Sequence, residues 1–237
     1  VFLDEEGLPP CIVRKSDGGF NYATTDIATL ESRVHEFNPD LILYVTDERQ
    51  QLHFKQVFAI ARKLGYEAQL NHIGFGLMRL PEGTFSTREG NVIRLEALLD
   101  EAVERAFKVV CESSPDMEEA TQREIAEAVG IGAVKYLDIS QNPQTVVTFT
   151  WDKALSLEGN SGPYLQYAYA RIRSVRARYE ERFGEDDISG YRILPREDIE
   201  RALALKILRF GEAVAFAARS FKPSALTEYL YDLAQTY

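Results

Sequence analysis

Four stretches of this 237-residue chain carry side chains that can do chemistry. Thr84-Phe85-Ser86-Thr87-Arg88-Glu89-Gly90-Asn91 sets three hydroxyls and one guanidinium ahead of a Gly-Asn turn. Hydroxyls and open backbone N–H groups suit phosphate oxygens, and Arg88 adds a positive charge. An ordinary Ser/Thr/Gly turn has the same composition. Tyr22-Ala23-Thr24-Thr25-Asp26 falls where a strand end is expected to enter a helix, the place where α/β folds hold ligands. A carboxylate such as Asp26 in a first helical turn also complements the helix dipole with no ligand at all. Gln50, Gln51 and His53 open the next expected helix, where a capping Gln and a solvent-facing His are the bland alternatives. Further on, Arg171, Arg173, Arg176 and Arg178 are interleaved with Tyr164, Tyr167 and Tyr169. Such a helix can contact phosphates and stack bases, or its arginines can be solvated or paired with Glu180 and Glu181.

These residues need elements to position them. Ile12-Val13-Arg14 and Phe20-Asn21-Tyr22-Ala23 flank a Lys15–Gly19 turn and can form a hairpin. Thr24 or Thr25 can cap a helix whose apolar stripe is Ile27, Leu30, Val34 and Phe37. Leu41-Ile42-Leu43-Tyr44-Val45 is a continuous apolar run, the pattern of a strand covered on both faces. A helix from Arg49 to Leu64 is stopped by Gly65, and Glu67 to Leu80 reads as extended. This spacing predicts a parallel α/β sheet. Beyond Leu95 the pattern turns helical, with helices expected at 95–111, 118–128, 130–139, 163–182, 197–221 and 223–237. An extended piece is expected at Val146–Phe149, with the junction of the two parts near 150–160.

Composition bounds the function. The net charge of −10 argues against a protein that coats nucleic acid through bulk positive charge. From Trp151 onward lie 13 of the 27 basic and 13 of the 37 acidic residues, so the whole deficit belongs to the first 150 positions. The neutral part holds ten arginines that can gather on one face. No apolar run approaches the ~20 residues of a membrane span, and no basic-then-apolar leader is visible. Cys11 and Cys111 are too few for a disulfide scaffold or a cysteine-ligated metal, which fits a reducing, cytoplasmic setting. A start at Val1 and an apolar-periodic helix running to Tyr237 lead us to expect a segment of a longer protein.

Taken together, these stretches resemble arginyl-tRNA synthetase, a class I aminoacyl-tRNA synthetase family. The resemblance runs in order along nearly the whole chain. It takes in Asp17-Gly18 through Tyr22-x-Thr24-x-Asp26, then Leu43-Tyr44-Val45, Gln51-Leu52-His53, Phe75-Gly76 and Phe85-Ser86-Thr87-Arg88 through Gly90-Asn91. It continues with Gly130-Ile131-Gly132-Ala133-Val134 and with Leu157-Glu158-Gly159 through Gly162-Pro163-Tyr164-Leu165-Gln166-Tyr167-Ala168, and ends with Leu226–Ala234. The implied fold is α/β then all-α: the second half of a Rossmann-like parallel sheet, then a helical anticodon-binding domain. Residues 1–155 would be the C-terminal half of the class I catalytic domain with its connecting helices, and 156–237 the start of a DALR-type domain.

The resemblance implies roles residue by residue. Tyr22, Asp26 and Gln50 match the positions that hold the substrate L-arginine. A carboxylate suits a guanidinium because it accepts the planar fork of donors in a bidentate way. His53, Gly76, Leu77 and Phe85 match the ATP side, and Ser86, Thr87 and Arg88 stand in the Lys-Met-Ser-Lys-Ser loop that acts on the triphosphate. Arg171, Arg173 and Arg176 are the expected tRNA contacts. The implied partners are ATP, Mg²⁺, L-arginine and tRNA(Arg), with no protein-ligated structural metal, no membrane and a monomeric state. The implied reaction forms arginyl-adenylate and passes the arginyl group to tRNA. This segment alone is expected to be inactive. Thr84 and Thr87 replace the two loop lysines, Glu89 adds a negative charge there, and the half carrying His-Ile-Gly-His is absent. His72-Ile73-Gly74-Phe75 mimics that signature but falls in a strand, so a structural role is expected. The alternative is a non-catalytic tRNA- or partner-binding paralogue.

Overall fold

A computed structural model describes residues 1–80, 83–84, 94–184 and 190–237, with backbone alone at Leu80, Gly83 and Thr84. The chain forms two compact units, Val1–Leu77 with Pro143–Thr145, and Met78–Asn142 with Val146–Tyr237.

In the first unit, helix α1 spans Tyr22–Phe37 and is capped by Asn21, whose side chain accepts from the Thr24 N–H. The cap expected at Thr24 or Thr25 is thus one turn earlier. The Asn21 amide also donates to the Ile12 carbonyl at 2.6 Å, and the Thr24 hydroxyl is turned away to the Val13 carbonyl. The expected hairpin reduces to one antiparallel bridge, Arg14 to Phe20. Strand β1, Leu41–Asp47, pairs in parallel with β2, Gln69–Phe75, from Leu41 opposite Gln69 to Asp47 opposite Phe75. Helix α2, Gln51–Lys63, crosses between them after a 3₁₀ turn at Glu48–Gln50. Leu30, Ile42, Tyr44, Phe54, Val57 and Phe58 form the core beneath these helices, each large side chain contributing about 2 kcal/mol by burial. Coverage of β1 on both faces is not what forms. Ile42 and Tyr44 are buried, whereas Leu43 and Val45 on the opposite face are 42% and 62% exposed, because no described element of this unit packs there.

The extended stretch expected from Glu67 to Leu80 is broken at Gly76-Leu77, where the Gly76 N–H turns to the Pro143 carbonyl at 2.6 Å. Strand β3, Met78–Leu80, belongs to the second unit, between β4 (Gly83–Thr84, antiparallel) and β5 (Val147–Thr148, parallel). Helices α3, Leu95–Ser113, and α4, Glu119–Ile139, form a tight pair. The helix expected to break near 129 is continuous. Gly130 stays inside α4 because a Cβ there would lie 2.7 Å from the Ala102 backbone of α3, so the glycine is a contact point rather than a stop. Short α5, Trp151–Ala154, follows, with Phe149 buried against Leu137 and Ala154.

Helix α6, Gly162–Phe183, has Ser161 as its cap and Pro163 in its first turn. The single helix expected over 197–221 is two, α7 (Asp198–Leu208) and α8 (Phe210–Ser220). Arg209, at φ −83° and ψ 3°, closes the first and opens the second, a tight turn that apolar periodicity does not reveal. Helix α9, Pro223–Thr236, docks on α7 through the Tyr229 hydroxyl, which donates to the Lys206 carbonyl at 2.6 Å. No helix among the described residues is long and apolar enough to cross a membrane.

Candidate active site

The candidate substrate residues gather at the starts of α1 and α2. With Asn21 as cap, Asp26 is the fifth residue of α1 and no acidic residue lies in that helix's first turn. Dipole complementarity, which fades beyond the first turn, therefore does not account for Asp26. Its partner is His53, the third residue of α2, with Nε2 2.6 Å from Asp26 Oδ2. The two side chains keep 36% and 26% of their surface, so the pair is open on one side. Tyr22 stands one helical turn before Asp26 on the same face and is 86% exposed. Gln50 occupies the cap position of α2 but makes no capping hydrogen bond. Among the described residues, Tyr22, Gln50 and Oδ1 of Asp26 have no side-chain hydrogen bond. A carboxylate with two oxygens has capacity beyond the one bond that Asp26 makes.

Neighbouring groups are committed elsewhere. Gln51 donates to Glu48 at 2.9 Å and accepts from Lys55 at 3.0 Å. Asp47, at the end of β1, takes the Arg49 guanidinium on both oxygens, at 2.9 and 2.7 Å, and accepts the Arg49 backbone N–H. Those bonds hold its carboxyl down at about 2. His72 is a structural histidine, as its strand position predicts. It stacks on Phe54 at 4.9 Å and shares a 2.9 Å hydrogen bond with Thr46, and burial lowers its pKa against a smaller raising effect of Glu48. Beside it, Gly74 admits no side chain, since a Cβ would meet the Glu48 backbone at 2.9 Å. Gly76 and Leu77 sit just past β2 and are partly exposed. Phe85, Ser86, Thr87 and Arg88 lie outside the described residues. No three His, Cys, Asp or Glu side chains among the described residues could together hold a metal ion.

In the second unit, the Gly159–Ala168 run is committed to packing. Gly162 backs onto Gly132, where a Cβ would stand 3.0 Å from the Gly132 carbonyl oxygen. Gln166 donates to the Ala128 carbonyl at 3.0 Å, and Tyr164 packs edge-on to Tyr231. The buried Tyr136 hydroxyl lies 2.6 Å from Asn160 Oδ1 and 3.1 Å from the Thr227 carbonyl, tying α4 to the α6 cap and to α9. The arginines of α6 do not gather on one face. At about 100° per residue, Arg171 and Arg178 share one side, and Arg173 and Arg176 lie on the other. Arg176 pairs with Glu180 at 2.6 Å, and Arg173 approaches the Tyr169 hydroxyl at 3.4 Å.

The geometry that sequence reasoning missed is the Asp26–His53 contact. Its signal was the true cap at Asn21, which moves Asp26 off the helix start and leaves it in need of a partner.

Comparison with known proteins places this geometry in a lineage. Residues 1–151 match the class I tRNA synthetase (R) catalytic domain and 165–237 the DALR anticodon binding domain. A protein of Fusobacterium nucleatum named arginine–tRNA ligase is 46% identical over 99% of this chain and 41% of its own length. One of the same name from Marinomonas is 44% identical over 100% of this chain and 41% of its own length. The arginyl-tRNA synthetase structure from Thermus thermophilus superposes with a TM-score of 0.81 at 28% identity, covering 99% of this chain and 44% of that one. That from Plasmodium falciparum gives 0.79 at 28% identity, over 94% and 38%. The chain thus spans about two fifths of the length of the curated relatives it matches. The expected order, a class I α/β part and then an anticodon-type helical part, is borne out, and the chain belongs to the arginyl-tRNA synthetase family of class I.

Proposed function

We propose that this chain supplies the second half of the catalytic domain and the first part of the anticodon-binding domain of an arginine–tRNA ligase, dividing near residues 155/156. The complete protein activates L-arginine with ATP and transfers the arginyl group to tRNA(Arg), as a monomer in the cytoplasm, and the chain by itself is inactive. One observation supports this reading most. Tyr22, Asp26 and Gln50, whose positions resemble the family's arginine contacts, all keep side-chain hydrogen-bonding capacity at this corner.

A guanidinium arriving there finds a carboxylate with a free oxygen, a phenol one turn away and an amide beside them. A charge-assisted hydrogen bond of this kind contributes roughly 1.5–3 kcal/mol. An uncharged analogue would leave Oδ1 of Asp26 without a partner and be rejected. The arginine carboxylate then attacks the α-phosphate in line, and pyrophosphate leaves. Gly76 and Leu77 border the adenosine, Ser86, Thr87 and Arg88 act on the triphosphate, and Arg171, Arg173 and Arg176 meet tRNA. Catalysis on this reading is positioning and electrostatics, with no covalent protein nucleophile. The test is arginine-dependent ATP–pyrophosphate exchange by the complete ligase. Asp26→Asn should weaken arginine activation by more than about tenfold. Unchanged arginine dependence would remove Asp26 from the site.

A further inference from the structure

His53 matches a position on the ATP side of the family, yet its ring is engaged with a residue of the amino-acid side. Nε2 lies 2.6 Å from Oδ2 of Asp26, across 27 residues of sequence and between two helices. The ring itself is held. It packs edge-on against Phe54 at 5.1 Å, and Phe54 is buried among Tyr44, Phe58 and His72. Asp26 has no first-turn position to fix it and accepts no other hydrogen bond among the described residues. Of the other titratable groups, Tyr22 lies one turn before Asp26 on the same helix face, and Tyr44 interacts electrostatically with both Asp26 and Arg33, whose guanidinium is 5.6 Å from the Tyr44 ring centre.

We propose that His53 is a positioning residue for Asp26, a proposal that rests on the reading of Asp26 as the guanidinium partner. With a proton on Nε2 the imidazole donates to Oδ2 and fixes the plane of the carboxylate. Oδ1, and the second lone pair of Oδ2, then point to one place instead of sampling rotamers. The core anchors His53 through Phe54, so the order of the α2 start is handed to a side chain on α1. A substrate cation meets a preorganised acceptor, and the entropy of ordering Asp26 is already spent before it arrives.

A double-mutant cycle on arginine-dependent ATP–pyrophosphate exchange by the full-length ligase tests this. His53→Ala should raise the KM for arginine about tenfold while leaving the KM for ATP and the melting temperature nearly unchanged. His53→Gln places an amide N–H near the position of Nε2 and should restore most of the loss. His53→Asn is too short to reach and should behave like alanine. In an Asp26→Asn background, His53→Ala should add nothing, since its only effect passes through Asp26. An alanine variant that fails to fold leaves the Gln and Asn variants to decide by the same comparison. A rise in the KM for ATP, an effect of equal size with and without Asp26→Asn, or equal behaviour of Gln and Asn would overturn the proposal. If Asp26→Asn alone is silent, the guanidinium reading itself fails. If Asp26→Asn is strong and every His53 variant is silent, only the present proposal does.

Discussion

Gly130 of α4 lies against Ala102 of α3 with no side chain between them, since a Cβ on Gly130 would come 2.7 Å from the Ala102 carbonyl. Gly130→Ala sets two effects against each other. Helix propensity favours alanine by about 1 kcal/mol. Overpacking against a backbone that belongs to another helix costs about 1–3 kcal/mol, and here no flexible side chain can yield. Overpacking should win. Thermal unfolding of the variant is expected at a lower midpoint than the parent, and a raised midpoint would show that α3 and α4 can separate freely.

Tyr136 should give the helical unit an alkaline limit. Burial raises its pKa from 10 to about 12, against the smaller lowering effect of the bond to Thr227. Because the folded value lies above the unfolded one, its contribution is complete below pH 10 and is lost as pH rises through about 12. Tyr136→Phe should unfold more easily at neutral pH by about 1 kcal/mol, since Asn160 and the Thr227 carbonyl lose a donor. The gap between the two proteins should close in that alkaline range, as followed by circular dichroism during a pH titration.

His72 acts at the other end of the scale. Its folded pKa is below the ordinary 6.5, so the unfolded chain takes up protons more readily. The stability it contributes is present above pH 6.5 and falls away as pH drops through the lower folded value. His72→Phe, which keeps the stack on Phe54, should lose less stability as pH drops below 6.5. Equal pH slopes in the two proteins would refute this assignment.

The two thiols should separate kinetically. Cys11 is buried among Leu3 and Ala23, and burial pushes its thiol up. Cys111 is only half-buried, with Sγ 3.4 Å from Gln122 Oε1. An aromatic disulfide reagent should modify Cys111 first and Cys11 only on unfolding. Single Cys→Ser variants assign the phases.

Much of the scaffold was legible in the residues, and the reasons for the rest are specific. The β1 strand, the Gly65 stop and the helix start at Pro223 are local signals that local physics obeys. The break expected between 128 and 130 does not form, because propensity cannot show the close contact of Gly130 with the Ala102 backbone. Arg209 hid a helix boundary because both flanking helices keep the same apolar rhythm. The residues of the candidate site were named from their order along the chain, but the Asp26–His53 contact depends on where two helices start, and a cap error of one turn was enough to conceal it. The ten arginines of the second part were expected to be able to gather on one face, but within α6 helical geometry sets Arg171 and Arg178 opposite Arg173 and Arg176.

The half-covered strand has a practical consequence at the bench. Leu43 and Val45 leave an apolar strip of the first unit in contact with water even when every described element is formed. A polarity-sensitive dye should therefore fluoresce on the native chain, and a bright signal in a dye-based melt will report this strip before any unfolding begins. For this protein the melting curve should come from the backbone amide signal instead.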